Sequence, residues 1–560
     1  MLTHVTKTVM TLWGLIYVAG VYAAPILDIY QDFIPNQVFN TPTRDSQSTR
    51  FGKSVDVSKN YAVASSRRGL SGDRSRGAAF IYRNINKTWF YQHELLVDEL
   101  LPDLALQDGD YFGVDVAIDN NWVVVGAPGT GPRVPLGTGA VYVFLNNGDG
   151  FFKFYQKIEP IDADGDGEGA NYGSSVDIKG DQMIVGASAH NLSMGAVYIY
   201  KHDGHSWNLE NKVVPEKDGK IDEFFGSSVA ISGQSAVVGA DSDDTHGINS
   251  GAAYTLQNIN QTWQITEKIT AGDVAAQHQD WFGRDVSIRG DMIAVGAAGV
   301  LEILDIFGAR ISGSVYIFKQ DQNGDWLKTQ RIQRHDPQNA NAYDYFGFSV
   351  DLDGNKLAIS SFGNDNVKVN GGASYVYQQL GDRFIFLKEF APQDNLSDND
   401  DFGYDVAISE NNIMVGAPRT DELHDDPQNT FDHRRDVGRV YVLDLDLNVA
   451  VPLPLLDSDG DGASNLQEYA SGTDPTVASS RALPASSKVK GYLTLEVVKN
   501  PAATDVLYSV EISTDLKTWD SAGTVVVSDD TNGMVVRSAT PMADPATQRG
   551  FMRATYTLVE

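Results

Sequence analysis

Seven segments of the chain share one pattern of apolar and polar positions. Each begins with an aromatic residue and a glycine, has valine four positions after the aromatic, and has Val, Ile or Leu two positions later. The aromatic residues are Phe51, Phe112, Tyr172, Phe225, Phe282, Phe346 and Phe402. Apolar residues at every second position indicate a half-buried β-strand, so each segment is predicted to open with one.

Three further strands are predicted in each segment. A short turn such as Lys179-Gly180-Asp181 leads to an apolar run that ends in Val-Gly-Ala in five of the segments. A third run, such as Gly139–Phe144, follows a loop of variable length. A fourth run carries a tryptophan near its start at Trp89, Trp207, Trp263 and Trp326. Each segment is therefore predicted to form a four-stranded antiparallel sheet.

Seven such sheets predict an all-β fold, a seven-bladed β-propeller over residues 24–453. A single sheet leaves both faces exposed, whereas sheets arranged radially cover one another. The run Ile26–Phe39 has the pattern of a fourth strand and would close the ring by completing the last blade. The run Leu445–Pro454 is an alternative for the same place.

One polar position is fixed in all seven segments, three residues after the aromatic. It holds Ser54, Asp115, Ser175, Ser228, Asp285, Ser349 and Asp405. Short side chains with an oxygen acceptor bind nearby backbone groups, so we interpret these residues as braces and not as catalysts.

These repeats resemble the FG-GAP family, the unit of integrin α-subunit propellers and of many secreted bacterial proteins. The resemblance extends from about Phe51 to Leu443. It implies calcium in the turn between the first two strands of some blades. Here those turns are too short to hold the ion, so we do not expect calcium there.

The strand order predicts which end of the propeller binds a ligand. The loops between strands two and three and the loops between blades emerge at the same end, and the longest are Gly129–Thr138, Val300–Ser312 and Arg419–Val437. Loops on a rigid scaffold carry recognition. This end, called the loop face, also has an acidic residue two positions before five of the aromatics: Asp110, Glu223, Asp280, Asp344 and Asp400. They either brace backbone amides or form a ring that holds cations or a basic or hydroxyl-rich ligand.

The strongest candidate metal site lies after the repeats. Asp457, Asp459 and Asp461 occupy positions one, three and five of a calcium loop, and the carbonyl of Ala463, Asn465 and Glu468 occupy positions seven, nine and twelve. This spacing wraps oxygen ligands around a hard cation. The stretch through Gly472–Pro475 resembles the thrombospondin type 3-like calcium repeats of bacterial surface proteins. Residues 454–480 are therefore predicted to be a calcium-binding linker, with a disordered acidic linker as the alternative.

A second candidate calcium site lies within the propeller, in the loop before Tyr172. Asp162, Asp164 and Asp166 alternate there with glycines, and Glu168 follows. Alternating carboxylates can surround a cation. A solvated acidic loop is the alternative.

The two ends of the chain show different patterns. Residues 485–560 alternate again in Tyr492–Val497 and Tyr508–Ile512, which predicts a small β-sandwich. This region resembles small C-terminal modules of secreted bacterial proteins, which implies a role in attachment or sorting. Residues 1–23 combine Lys7, the apolar run Val9–Val21 and small residues near Ala24, which indicates a signal peptide. A membrane anchor is the alternative, and we expect no transmembrane segment after cleavage.

Composition narrows the function. The chain has 74 acidic and 43 basic residues and a net charge of −31, which disfavours nucleic acid and anionic membranes. It has no cysteine, so neither disulfides nor thiol chemistry are available. Arg289-Gly290-Asp291 matches the slot of Lys179-Gly180-Asp181 and is interpreted as a turn and not as a recognition tripeptide.

No catalytic residue is assigned, because the sequence has no nucleophile elbow, phosphate loop or zinc signature. His424 and His433, with neighbouring aspartates, are interpreted as part of a solvated insertion. The prediction is a secreted or cell-surface calcium-binding recognition or adhesion protein that binds an extracellular protein or glycan through the loop face. The alternatives are a polysaccharide lyase or hydrolase and a structural module of a surface assembly. Neither the ligand nor the oligomeric state follows from the sequence.

Overall fold

A computed structural model describes the parts of the chain that follow. They are residues 37–40, 49–67, 76–97, 106–131, 138–161, 170–215, 223–272, 279–305, 308–334, 343–364, 370–380, 383–391, 400–420, 437–445, 485–489, 492–499, 506–513, 521, 524–529, 533–538 and 551–558. Two compact units are distinguished. One comprises Asp32–Phe384 and Lys388–Val449, and the other comprises Met1–Gln31, Ile385–Leu387 and Ala450–Glu560.

Within the described residues, the first unit contains seven four-stranded antiparallel sheets. The first strands are β2 (Val55–Ser58), β6 (Val116–Asp119), β10 (Tyr172–Lys179), β14 (Val229–Ser232), β18 (Phe282–Arg289), β24 (Val350–Asp353) and β28 (Asp405–Ser409). The second strands are β3 (Tyr61–Ser66), β7 (Trp122–Ala127), β11 (Gln182–Ala187), β15 (Ser235–Ala240), β19 (Met292–Ala297), β25 (Lys356–Ser361) and β29 (Asn412–Ala417). Each first strand is joined to its second by a turn of two residues.

The outer halves of the sheets are equally regular. The third strands are β4 (Ala78–Ile85), β8 (Ala140–Asn146), β12 (Ala196–His202), β16 (Ala252–Ile259), β22 (Ser314–Gln320), β26 (Ala373–Leu380) and β30 (Arg439–Asp444). The fourth strands are β5 (Thr88–Glu94), β9 (Phe152–Ile158), β13 (Trp207–Val213), β17 (Thr262–Ile269), β23 (Trp326–Ile332), β27 (Arg383–Phe390) and, in the last sheet, β1 (Gln37–Asn40). The loop after β19 forms an additional hairpin, β20 (Leu301–Asp305) with β21 (Gly308–Ile311), and a single turn, α1 (His190–Ser193), follows β11.

Strand β1 completes the last sheet. It pairs antiparallel with β30, with Gln37 opposite Val442 and Phe39 opposite Val440. The N-terminal run, and not a segment after Leu445, therefore occupies the fourth place among the described residues. The ring of Phe39 stacks on Tyr82 of the first sheet at 4.0 Å, so β1 also contacts the neighbouring sheet.

Gln37 shows that β1 is equivalent to the other fourth strands. Its Oε1 accepts the backbone N–H of Trp89 at 2.8 Å and its Nε2 donates to the carbonyl of Trp89. Gln156 makes the same pair of bonds to Trp207, at 2.9 and 3.0 Å, and Gln330 makes it to Phe384, at 2.8 Å each. In each case the side-chain amide of one fourth strand bonds to the backbone of the fourth strand in the next sheet.

The first strands contact one another in chain order, and β28 contacts β2. An all-β arrangement of repeated four-stranded sheets in cyclic contact is consistent with a β-propeller. The seven aromatics that open the segments are fully buried between sheets. Phe112 and Phe225 lie edge-on to Tyr142 and Tyr254, at 5.4 and 5.1 Å between ring centroids.

Two glycines explain why the aromatic-Gly and Val-Gly-Ala motifs recur. Gly113 has φ +84°, a conformation that side chains rarely adopt. Gly126 lies so close to the next sheet that a Cβ there would stand 2.1 Å from the carbonyl oxygen of Gly173. Both positions therefore favour glycine where neighbouring sheets approach most closely.

The second unit, described by itself, contains a four-stranded sheet and a separate strand pair. The sheet has the order β31 (Ala485–Val489), β32 (Tyr492–Val498), β35 (Gly533–Ser538) and β34 (Thr524–Asp529). The pair is β33 (Val506–Ser513) with β36 (Phe551–Leu558). Leu495 and Val536 are buried partners across β32 and β35. The alternation at Tyr492–Val497 and Tyr508–Ile512 therefore falls in strands, as predicted.

Candidate functional site

The fixed Ser/Asp position joins each sheet to the next. Asp115 accepts the backbone N–H of Val176 at 2.7 Å, and Asp285 accepts that of Val350 at 2.8 Å. Asp405 accepts the N–H of Val55 at 2.8 Å, so the last sheet is bonded to the first. Among the serines, Ser54 and Ser349 accept the N–H groups of Val116 and Val406, and Ser175 and Ser228 donate to the carbonyls of Gly226 and Gly283. The predicted role as backbone braces is confirmed.

A second level of braces was not predicted. Two residues further along the first strands, Asp56, Asp177 and Asp351 accept the N–H groups of Ile118, Ile231 and Ile408 at 2.6, 2.7 and 2.8 Å. Only three of the seven repeats carry aspartate at this position, since Ala117, Ala230, Ser287 and Ala407 occupy the others. The repeat pattern therefore gave a weak signal there.

Carboxylates accumulate along the inner strands, and burial changes their acidity. Burial, the largest cause, raises the pKa of Asp115, Asp285 and Asp405 to about 7, and the carboxylates also repel one another. Burial likewise raises the pKa of Asp177 and Asp351 to about 6. Perturbed carboxyls often mark active sites. Here each one accepts backbone N–H bonds that hold two strands together, which accounts for its presence structurally.

The five acidic residues that precede the aromatics by two positions are buried. Asp110 accepts the backbone N–H of Gln107 at 2.7 Å, and Asp344 accepts a 2.8 Å bond from the buried guanidinium of Arg334. For Asp110 the interpretation as a brace of a backbone amide is confirmed, whereas the bond to Asp344 comes from a side-chain cation. Over the described ranges, no group of three or more His, Asp or Glu residues is arranged to hold a metal ion.

The tripeptide Arg289-Gly290-Asp291 is a turn, as predicted. Gly290 has φ +58°, and its N–H is donated to Ser232 at 3.2 Å. The guanidinium of Arg289 pairs with Asp353 of the next sheet. Both contacts fix the turn to its neighbours.

The loop face has a repeated backbone feature that sequence reasoning missed. The residue immediately before each aromatic has a positive φ, between 51° and 56° in all seven repeats. These residues are Arg50, Tyr111, Asn171, Phe224, Trp281, Tyr345 and Asp401. Only asparagine and aspartate commonly adopt this conformation, so bulky aromatics there are strained. Because all seven repeats share this conformation, it belongs to the turn that precedes the first strand and fixes where the aromatic side chains lie. An aromatic doublet before glycine was the signal available in the sequence.

Aromatic side chains from three sheets meet on the loop face. Trp281 stacks on Tyr345 at 6.2 Å, and Tyr345 stacks on Phe362 at 5.0 Å between centroids. Tyr343, Phe348 and Tyr404 extend the group, with Phe348 and Tyr404 at 5.3 Å. We call these six residues the aromatic cluster. Tyr343 is 54% exposed, and the guanidinium of Arg284 lies 4.5 Å above Phe348.

A cavity of about 350 Å³ adjoins the aromatic cluster. Its walls include Arg50, Lys53, Arg67, Tyr111 and Tyr404, and we call it the basic pocket. Burial lowers the pKa of Lys53, the charges of Arg67 and Arg284 lower it further, and Asp115 and Asp405 oppose the shift. Four cations thus converge near one opening of a strongly acidic protein. Sequence reasoning missed this pocket because its cations come from two segments of one repeat and from the fifth repeat.

Several predicted site residues lie outside the described residues. These are the calcium-loop residues Asp457, Asp459, Asp461, Ala463, Asn465 and Glu468, the acidic loop Asp162, Asp164 and Asp166, both histidines of the last long loop, and the signal peptide. No helix of the described chain is long and apolar enough to span a membrane.

The repeated sheets, joined by side-chain braces and opening on a loop face, define an all-β repeat protein of propeller type. The FG-GAP repeat model matches residues 106–144, 155–200, 207–256, 263–318, 326–377 and 391–443. These segments make up more than half of the chain, and the protein belongs to the FG-GAP repeat family. Four of the six begin within a fourth strand and end in the third strand of the following sheet, the same offset by which β1 precedes β2.

Other comparisons are more distant. One similar structure is the crystal structure of a protein from Lactobacillus plantarum, with 12% sequence identity and a TM-score of 0.37. The matched region covers 60% of this chain and 84% of the Lactobacillus protein. The periplasmic gluconolactonase of Pseudomonas aeruginosa has 13% identity and a TM-score of 0.36, covering 62% and 87%. Neither similarity bears on the activity of this chain. No curated protein matches the sequence.

Proposed function

We propose that this chain is a secreted or cell-surface recognition protein, a seven-bladed propeller that binds an extracellular glycan through its loop face. The aromatic cluster carries the proposal. Its rings are stacked, partly exposed and contributed by three neighbouring sheets, and Trp281 and Tyr345 are held there at positive φ.

The chemistry of the cluster favours a sugar. The C–H face of a pyranose ring is apolar and packs on an aromatic ring, while its hydroxyls remain free for polar groups. The phenol groups of Tyr343, Tyr345 and Tyr404 supply hydrogen-bonding groups beside the rings. A rigid scaffold fixes the rings in advance, which limits the entropy lost on binding.

The parts after the propeller complete the proposal. Asp457, Asp459, Asp461, the Ala463 carbonyl, Asn465 and Glu468 would bind calcium and order residues 454–480, and residues 485–560 would form a small sandwich for attachment. Asp162, Asp164 and Asp166 would form a weaker calcium site. Calorimetry of the full chain should show calcium uptake that Asp459→Ala reduces, and unchanged uptake in that variant would refute the linker site.

The experiment for glycan binding uses the full chain on a glycan array, followed by titration with the best ligand. Tyr343→Ala is expected to weaken binding about tenfold or more, because aromatic anchors contribute most of the energy of such sites. Phe90→Ala is the matched control, since Phe90 is 51% exposed on the outer strand β5 and lies outside the cluster.

The other outcomes are decisive as well. Equal losses in both variants, or binding only to matrix proteins, would refute the glycan proposal. Release of new reducing ends from a bound polysaccharide would replace it with the enzyme alternative.

A further inference from the structure

We propose that the basic pocket binds the anionic group of an acidic glycan, a carboxylate or a sulfate, while neighbouring sugars of the same chain lie on the aromatic cluster. This inference rests on the proposed function and specifies its ligand class. It is carried by the cations of the pocket and by the residue shared between the two surfaces.

Two of the cations have no hydrogen-bonding partner among the described residues. Within the residues that the structure describes, neither the ammonium of Lys53 nor the guanidinium of Arg67 forms a hydrogen bond or an ion pair. Other cations of the propeller are engaged, as Lys179 is with Asp119, Lys268 with Asp243 and Arg284 with Asp241. Lys356 also lacks a side-chain partner among the described residues, so it is the convergence of cations on one cavity that points to a ligand.

Of the pocket cations, Lys53 would be stabilised most by an anionic ligand. Its side chain is half-buried, and burying an ammonium group is costly unless an anion compensates it. The nearby carboxylates of Asp115 and Asp405 compensate the ammonium only in part, because they attract it without forming a hydrogen bond or ion pair with it. Asp115 and Asp405 direct their Oδ2 atoms to the N–H groups of Val176 and Val55 and their Oδ1 atoms to serine and backbone donors. A ligand anion would pair with the ammonium of Lys53 and compensate its charge.

The shape of the pocket indicates the size of the group. A cavity of about 350 Å³ is at the small end of ligand sites, which span roughly 300–1,000 Å³. It suits one charged sugar residue and not a long segment of polymer. Tyr111, 42% exposed, stands at its wall and offers a ring against which such a sugar can pack.

Tyr404 connects the pocket to the cluster. It lines the pocket, and its ring lies 5.3 Å from Phe348 and 5.9 Å from Phe362. A single glycan can therefore place a charged residue in the pocket and its neighbours on the aromatic rings. Neutral glycans would use the cluster alone, so the pocket would add selectivity for acidic chains.

The test titrates the full chain with three matched oligosaccharides: oligogalacturonate, which carries carboxylates, sulfated carrageenan oligomers, and neutral cello-oligosaccharides. Lys53→Met removes the charge and nearly keeps the side-chain length, and Arg67→Gln removes the charge at the exposed wall with a shorter polar side chain. Lys356→Met is the control, because Lys356 is also half-buried but lies at the turn end of β25.

Binding of at least one acidic series is expected to weaken about tenfold or more in Lys53→Met and Arg67→Gln, the usual effect of losing a charged hydrogen bond. The control and neutral binding should be unchanged. Which acidic series binds identifies the carboxylate or the sulfate. Neutral chains that bind as well as both acidic ones, or acidic binding that ignores both substitutions, would overturn this inference and leave glycan recognition intact. Binding of no glycan would overturn both.

Discussion

Two groups of charged residues near the inner strands differ in whether the fold uses them as hydrogen-bonding groups. On the inner strands, Asp115, Asp285 and Asp405 each accept backbone N–H groups from two sheets. In the basic pocket, Lys53 lies close enough to Asp115 and Asp405 to interact with their charges, yet neither Lys53 nor Arg67 forms a side-chain hydrogen bond among the described residues. The aspartates show the stronger chemical anomaly, with pKa values raised to about 7.

The comparison shows that a shifted pKa does not by itself mark a binding residue in this propeller. Whether the charged group has hydrogen-bonding partners within the fold is the more informative property. A perturbed carboxyl with a complete set of donors is explained by what it holds together. A cation in a cavity that forms no hydrogen bond or ion pair among the described residues is not explained by the fold, because the charges of Asp115 and Asp405 offset the cost of burying it only in part.

The largest effect on the free energy of unfolding is expected when one of the backbone braces between sheets is removed. Asp405→Ala removes the acceptor of the Val55 N–H, at the junction of the last and first sheets, and the acceptor of the Ser349 hydroxyl. The N–H of Val406 keeps only its bond to Ser349. Buried donors without partners are costly, so the free energy of unfolding should fall by about 2–4 kcal/mol. Urea denaturation followed by tryptophan fluorescence measures this.

Serine is the matched replacement, because the chain itself uses it at this position in four repeats. Asp405→Ser should cost clearly less than Asp405→Ala, since a hydroxyl still accepts one N–H. Equal losses in the two variants would mean that the brace is not a hydrogen bond.

A smaller effect is expected from pH. The pKa of Asp405 is raised by burial from 3.8 to about 7, so the folded state holds this proton more tightly than the unfolded state. The contribution of the protonated group to stability is complete below about pH 4 and is lost as pH rises to about 7. Asp405→Ser lacks this loss, so its free energy of unfolding should rise relative to that of the wild type between about pH 4 and pH 7. A constant difference across that range would contradict the raised pKa.

The smallest effect is expected in the pocket. Lys53→Met should change the free energy of unfolding by less than about 0.5 kcal/mol, because it removes no internal bond and relieves a half-buried charge. Thermal and urea unfolding beside the Asp405 variants measure the contrast. A fall in the free energy of unfolding as large as that of Asp405→Ala would show that Lys53 has a structural role and would contradict this contrast.

The strands were largely predictable because the repeat shows its period seven times. Alternation after each aromatic located the first strands, and Trp89, Trp207, Trp263 and Trp326 located four of the outer ones. The closing strand remained ambiguous because Gln37–Asn40 is short and separated from its sheet by the whole repeat array. Its glutamine, equivalent to Gln156 and Gln330, is recognised only once the strands are aligned in space.

The site was less predictable because it is not repeated. The braces were found since one position holds Ser or Asp in every copy, whereas Lys53 and Arg284 share a position that holds apolar, hydroxyl or aromatic residues in the other five. Such variation gives no periodic signal. Their convergence near one cavity follows from the cyclic order of the sheets, which a linear pattern does not display.

Strand β1 also has a kinetic consequence. Gln37 and Val442 are paired although about four hundred residues separate them, so this contact forms only after nearly the entire repeat array has been synthesised. Closing so long a loop carries a large entropic cost and makes a slow final step. Until then the last sheet has three strands and an open edge. A nascent chain would therefore remain unclosed, and open to export or to chaperones, until both ends of the propeller are free to meet.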